Sequence, residues 1–198
     1  MSRSKLLVNL GNSAMHEDKR FVMVTSEQMR IGVDGLAKKV LEEKGKPGCI
    51  LGIGRGSLVM ARLLSDSLDV GKIYLIQASR YRDIAKANQE VNVGDVPKEV
   101  GETKGYVLVV DDVSDKGDTL HKISDTLREY LKEKGMKNEV VTCTFAVKTE
   151  TRFKPDFYAA IVDSDKWIIY PYEFNEILRS FAKSGDMEGI KFLKQHLR

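Results

Sequence analysis

The chain has 198 residues, within the length of a single domain of roughly 100–200 residues, so it can bury a sizeable core unaided. With 42% hydrophobic and 31% charged residues it is too apolar for disorder and too charged for a membrane protein. Its 32 basic and 29 acidic residues leave a net charge of +3, which is too slight to point to a nucleic-acid or membrane partner, so any anion binding must come from local arrangement. No apolar run approaches the roughly 18 residues that span a bilayer, and the opening MSRSKLLVNLGNS lacks the apolar middle of a signal peptide. A cytoplasmic protein without a membrane partner is therefore expected. Cys49 and Cys143 lie in apolar runs and read as small buried thiols.

Residues 1–24 show weak periodicity and are read as an N-terminal segment of uncertain role. The first clear element is a helix opening at Thr25, which has capping-box spacing to Gln28. Met29, Val33, Leu36, Val40 and Leu41 then recur at helical spacing until Gly45. Cys49-Ile50-Leu51 reads as a buried strand running into the loop Gly52-Ile53-Gly54-Arg55-Gly56-Ser57, and a helix follows from Leu58 to about Leu68. Residues 72–77 form a second strand, and residues 78–105 a long polar stretch of a length usual for a functional lid or a disordered segment. Tyr106 to Val110 is a continuous apolar run of the kind a central parallel strand shows. It ends in Asp111 and Asp112, and a helix beginning near Thr119 carries Leu120, Ile123, Leu127 and Leu131 on one face. Val140–Val147 and Phe157–Val162 supply two more strands, and the segment after Pro171 reads as two short helices. This alternation implies an α/β sheet whose ligands sit beyond the carboxyl ends of the strands.

The run VLVVDDVSDKGDTL joins a strand end, a tight turn and a helix start. Backbone N–H groups and the helix dipole make such a turn an anion cradle, and the paired carboxylates beside it suit sugar hydroxyls or Mg²⁺. The rival reading is that the acidic residues only cap the helix. In the glycine loop, Ser57 stands where a dinucleotide fingerprint requires a third glycine, and no Gly-Lys-Ser/Thr of a nucleotide-binding P-loop is present.

Val107 to Leu120 resembles the phosphoribosyl pyrophosphate signature of the type I phosphoribosyltransferases. The resemblance covers roughly residues 25–175 and is strongest to the purine (hypoxanthine, xanthine, guanine) members. It implies a mainly parallel twisted sheet of about five strands with helices on both faces, a core over 25–175, a lid over 78–105, a small base-binding hood over 148–175 and a helical C-terminal tail over 176–198. It further implies that Asp111 and Asp112 meet the ribose hydroxyls, directly or through Mg²⁺. The turn of Asp115, Lys116, Gly117, Asp118 and Thr119 would hold the 5′-phosphate, and Asp115 would also accept a proton from the base. Lys116 replaces a usual hydroxyl residue, and Asp118 adds a carboxylate beside the phosphate. Gly54, Arg55 and Gly56 would bind pyrophosphate, helped by Arg80 or Arg82 from the lid. Val147-Lys148, Lys154-Pro155-Asp156-Phe157, Asp165-Lys166-Trp167-Ile168 and Pro171-Tyr172-Glu173 resemble the 6-oxopurine branch in this order. By that match Lys148 donates to the purine O6, Trp167 stacks on the base, the Ile168 backbone reads the ring edge, and Glu173 faces a second Mg²⁺ or the 2-substituent. The implied activity joins a 6-oxopurine to the phosphoribosyl group of phosphoribosyl pyrophosphate, giving a nucleoside 5′-monophosphate and pyrophosphate. Adenine specificity and a phosphoribosyl pyrophosphate-sensing regulator are the alternatives. No nucleic-acid partner is expected, and the family implies a homodimer or homotetramer.

Overall fold

A computed structural model describes residues 20–80 and 91–195, with Arg80 described by its backbone alone. Its centre is a parallel sheet of five strands in the order β3 (Ile73–Ile76), β2 (Cys49–Ile53), β6 (Val107–Ser114), β7 (Val140–Lys148) and β8 (Phe157–Val162). The period of two along the strands sorts the core into two layers. Cys49 and Leu51 of β2 with Val107 and Val109 of β6 pack with Leu120, Ile123, Leu127 and Leu131 of α4 (Asp118–Glu133). Ile50, Leu108, Val110, Val141 and Phe145 face the opposite way. There they meet Val33, Leu36 and Val40 of α1 (Ser26–Lys44) and Met60 and Leu64 of α2 (Ser57–Ser67). β2, β7 and the first half of β6 are buried on both faces, which is why they are largely apolar without a strict alternation.

The expected capping box is present: the Gln28 amide donates to Thr25 Oγ1 at 3.1 Å, and the Thr25 amide donates to Gln28 Oε1 at 2.8 Å. β6 runs further than its apolar pattern predicts. It continues through both aspartates to Ser114, because β7 is long enough to keep pairing with it as far as Val147. The polar stretch 78–105 holds short elements of its own. β4 (Ala78–Arg80) pairs antiparallel with β5 (Val91–Val93), and α3 (Lys98–Gly101) follows.

A second unit stands at the carboxyl end of the sheet. β1 (Phe21–Met23), within the segment left without a role by its sequence, pairs in parallel with β9 (Trp167–Ile169), setting Phe21 opposite Trp167. The last two helices, α5 (Phe174–Ser184) and α6 (Met187–Gln195), cover this ribbon through a small core of Phe21, Ile169, Ile177, Phe192 and Leu193. The hood is thus closed by chain from both ends of the molecule. Among the described residues no helix is long and apolar enough to cross a membrane.

Thr25→Ala should lower stability by about 0.5–2 kcal/mol, the worth of a side-chain N-cap. A lower denaturant midpoint with an unchanged slope would be the signature.

Candidate active site

Both expected halves of the site lie at the carboxyl end of β6. Asp111 Oδ1 accepts from the Asp112 amide at 3.0 Å, which fixes the Asp111 carboxylate against the strand, and both residues line one cavity. Burial, with the neighbouring Asp112 charge, raises the Asp111 carboxyl well above its usual range. Burial pushes Asp112 up to about 6. Beyond them the turn places Gly117 at φ +86° as the N-cap of α4, and no side chain caps the helix. The acidic residues therefore do not serve as its cap, and the first-turn N–H groups stay available to a ligand. A cavity of about 190 Å³ lies here, lined by Asp111, Asp112, Asp115, Gly117 and Thr119 among others. Lys116 contributes its carbonyl, which accepts from the Arg152 amide at 3.1 Å. The additional carboxylate of Asp118 is paired with Arg152 at 3.3 Å, which offsets its repulsion of an anion in the cavity.

Gly117 has a second reason to be glycine. A Cβ there would lie 2.6 Å from the Phe153 amide nitrogen and 2.9 Å from Thr151 Oγ1. The segment after β7 thus packs on the turn, with Ser114 Oγ donating to the Phe153 carbonyl at 2.8 Å.

The glycine loop sits beside the acidic pair. Gly54 has φ +54° and its amide donates to the Ile76 carbonyl at 2.9 Å. A Cβ on Gly56 would stand 2.4 Å from Asp112 Oδ2, so only glycine lets the loop approach that carboxylate. Arg55 is exposed, and its Nη2 donates to Glu176 Oε1 and Oε2 at 3.1 and 3.2 Å. Arg82 lies outside the described residues, and Arg80 ends β4.

The hood supplies the other wall. A cavity of about 350 Å³ is lined by Asp112, Asp115, Lys148, Trp167, Ile168, Tyr170 and Glu173, with Val113 and residues 164–166. Asp112, Val113 and Asp115 line both cavities, so the two form one continuous site. Trp167, the single tryptophan, is 62% exposed on the cavity and is not a core residue. Lys148 is buried, and its Nζ donates to the Asp163 carbonyl at 3.2 Å and to the Lys166 carbonyl. Burial lowers its pKa, opposed by the carboxylates of Asp115, Asp165 and Asp163. Those carbonyls are placed by a locked pair of loops, in which the Ser164 amide donates to Thr149 Oγ1 at 3.1 Å and the Glu150 amide to Ser164 Oγ at 2.9 Å.

Burial, with the Asp112 charge, pushes Glu173 up to about 7. The Tyr172 hydroxyl beside it is buried without a hydrogen-bond partner among the described residues. A cation with its hydration water would suit both observations. Asp111, Asp112 and Glu173 do not by themselves form a metal cage, since among the described residues no group of three or more metal-ligating side chains converges.

Sequence reasoning passed over Tyr170, whose hydroxyl donates to the Asp112 carbonyl at 2.8 Å and whose ring stacks on Tyr172 with centroids 5.4 Å apart. It also missed Ser164, Asp165 and Lys166 as cavity residues, and Glu176 as the partner of Arg55. The aromatic-proline turn Tyr170-Pro171-Tyr172 is the signal that marks the first of these. Ion pairing to Arg55 leaves no pattern in the sequence.

Residues 23–177 match the phosphoribosyl transferase domain family. The chain belongs to that family. This phosphoribosyltransferase is 30% identical to a xanthine-guanine phosphoribosyltransferase of Nitratidesulfovibrio vulgaris, over 76% of the chain and 83% of the relative. It is 27% identical to xanthine phosphoribosyltransferase 1 of Saccharomyces cerevisiae, over 72% and 85%. The crystal structure of a purine phosphoribosyltransferase from Pyrococcus horikoshii superposes with a TM-score of 0.58 and 30% identity, covering 76% of this chain and 92% of that one. The expected type I phosphoribosyltransferase fold, with its five-stranded parallel sheet, is the one observed.

Gly117→Ala should destabilise this phosphoribosyltransferase by about 1–3 kcal/mol, the cost of forcing an L residue into left-handed backbone. The same change should weaken inorganic phosphate binding more than a control substitution of equal stability cost elsewhere, as read by calorimetric titration.

Proposed function

We propose that this enzyme is a 6-oxopurine phosphoribosyltransferase. It transfers the phosphoribosyl group from phosphoribosyl pyrophosphate to the base, releasing pyrophosphate and forming a nucleoside 5′-monophosphate. The observation that carries the reading is the state of Lys148. An ammonium has three protons and no acceptor. Two of the three go to the Asp163 and Lys166 carbonyls, leaving one for a ligand in the cavity that Lys148 lines. A donor confined in this way favours a carbonyl at purine position 6 and penalises an amino group, which would leave it unpaired. The xanthine and xanthine-guanine specificities in the names of two relatives support the same choice.

The other roles follow from position. Exposed Trp167 offers its ring face to the base, and the Ile168 backbone its edge. Asp111 and Asp112 accept from the ribose hydroxyls, while the turn from Asp115 to Thr119 receives the 5′-phosphate on backbone N–H groups. Gly54, Arg55 and Gly56 receive the pyrophosphate, Arg55 as the cationic donor fork. Asp115 lines both cavities, between phosphate and base, where it can take the proton lost as the base nitrogen bonds to the ribose carbon. Asp111 and Asp112 would hold Mg²⁺ together with substrate oxygens, and Glu173 would face a second Mg²⁺ or the 2-substituent of the base. When bound, the cation neutralises charge on the departing pyrophosphate. Positioning and electrostatic stabilisation then supply most of the rate.

Hypoxanthine, guanine, xanthine and adenine, each supplied with phosphoribosyl pyrophosphate and Mg²⁺, decide the proposal. Nucleotide should form from at least one of the first three in preference to adenine, and preference for adenine would sink the assignment. Lys148→Ala should cut kcat/KM for the oxopurine by about 10- to 100-fold, the loss of one hydrogen bond to a charged donor, and leave any adenine activity nearly unchanged. Asp115→Asn should lower kcat by about 10²- to 10⁴-fold, as expected for a general base, with a much smaller change in phosphoribosyl pyrophosphate binding. Equal losses in both quantities would remove the base role.

A further inference from the structure

The contact between Arg55 and Glu176 joins the pyrophosphate loop to the hood, and it makes little sense as a structural brace. Its side chains are 81% and 58% exposed, and an ion pair so open to water adds little stability. Its geometry is that of an anion seated on a guanidinium, with both carboxylate oxygens within 3.1–3.2 Å of one terminal nitrogen. Glu176 is also fixed in place from its own side. It lies in the first turn of α5, its amide donates to the Glu173 carbonyl at 2.9 Å, and Ile177 beside it is buried in the hood core. The helix turn that carries the carboxylate is therefore held near Arg55 by contacts that do not depend on the pair.

We infer that Glu176 is an internal competitor for the pyrophosphate loop, a resident carboxylate on Arg55 that entering pyrophosphate must displace. This rests on the assignment of Arg55 to pyrophosphate. A multiply charged anion arriving at the guanidinium meets like charge from Glu176, and binding it means giving up the existing pair and moving or repelling the carboxylate. In each turnover the product pyrophosphate must leave the same arginine, and the returning carboxylate favours that step. Glu176 thus trades affinity for release, acting on bound pyrophosphate through Arg55.

Calorimetric titration of inorganic pyrophosphate into the full chain at constant Mg²⁺ tests this. Glu176→Gln removes the charge and keeps the shape, and it should bind pyrophosphate about two- to fivefold more tightly, the worth of an exposed ion pair. Inhibition of the forward reaction by added pyrophosphate should strengthen by the same factor. A tighter complex cannot arise from misfolding, so the expected result is not open to that explanation. Unchanged or weaker binding by Glu176→Gln overturns the inference. Arg55→Ala tests the assignment beneath it: pyrophosphate affinity equal to that of the parent protein would remove Arg55 from the site and the inference with it.

Discussion

Asp112 sits where three parts of the molecule meet, and the site depends on how they hold it. Its strand brings it out of the buried centre of the sheet beside Asp111, whose carboxylate binds its amide. The glycine loop presses on its carboxylate so closely that a Cβ at Gly56 would fall 2.4 Å from Oδ2. The hood ties down its carbonyl through the Tyr170 hydroxyl. The strand end, the glycine loop and the hood, the proposed sugar, pyrophosphate and base subsites, are thus registered against one another through a single residue. Each of these contacts sets a backbone group against a short or rigid side chain, and none uses a long flexible one.

This arrangement is electrostatically costly. Asp111, Asp112 and Glu173 all have their pKa raised, with burial as the leading cause in each case. Carboxylates held in that condition are poised to gain from a cation or from donors on a ligand. The same logic accounts for the nearly balanced charge of the whole chain, 32 basic against 29 acidic residues. On the proposed assignment, backbone N–H groups at an uncapped helix start provide for phosphate, so a broad basic surface is unnecessary. The carboxylate of Asp118, in the first turn of that helix, is offset by Arg152.

The sheet was legible because a parallel strand buried on both faces is mostly apolar, as Val107 to Val110 is throughout and Val140 to Val147 is apart from Thr142 and Thr144, whose hydroxyls donate to Asp156 Oδ2 and the Ala146 carbonyl. The capping box of α1 and the turn at Gly117 were legible because each needs particular residue types at particular spacings. Short elements were not. β4 and β5 have three residues each, too few for alternation to emerge from a polar stretch. β1 is equally short, and its partner β9 lies near the other end of the chain, so only tertiary packing reveals the pair. For Trp167, an aromatic side chain could serve the core or a ligand equally well. Its 62% exposure on the cavity wall removes the first.

The glycine loop shows how one substitution in a motif can separate two chemistries. A dinucleotide fingerprint uses its third glycine to let a helix pack close to a strand. Here Ser57 takes that position, is fully buried, and turns its Oγ back to the Gly54 carbonyl at 3.2 Å. Space for that hydroxyl comes from Gly52, where a Cβ would meet Ser57 Oγ at 2.6 Å. The loop is therefore closed on itself by Ser57 and on Asp112 by Gly56, leaving Arg55 between them as the residue that projects into solvent. The glycines that suggested a cofactor fold serve instead to place one arginine next to one carboxylate pair.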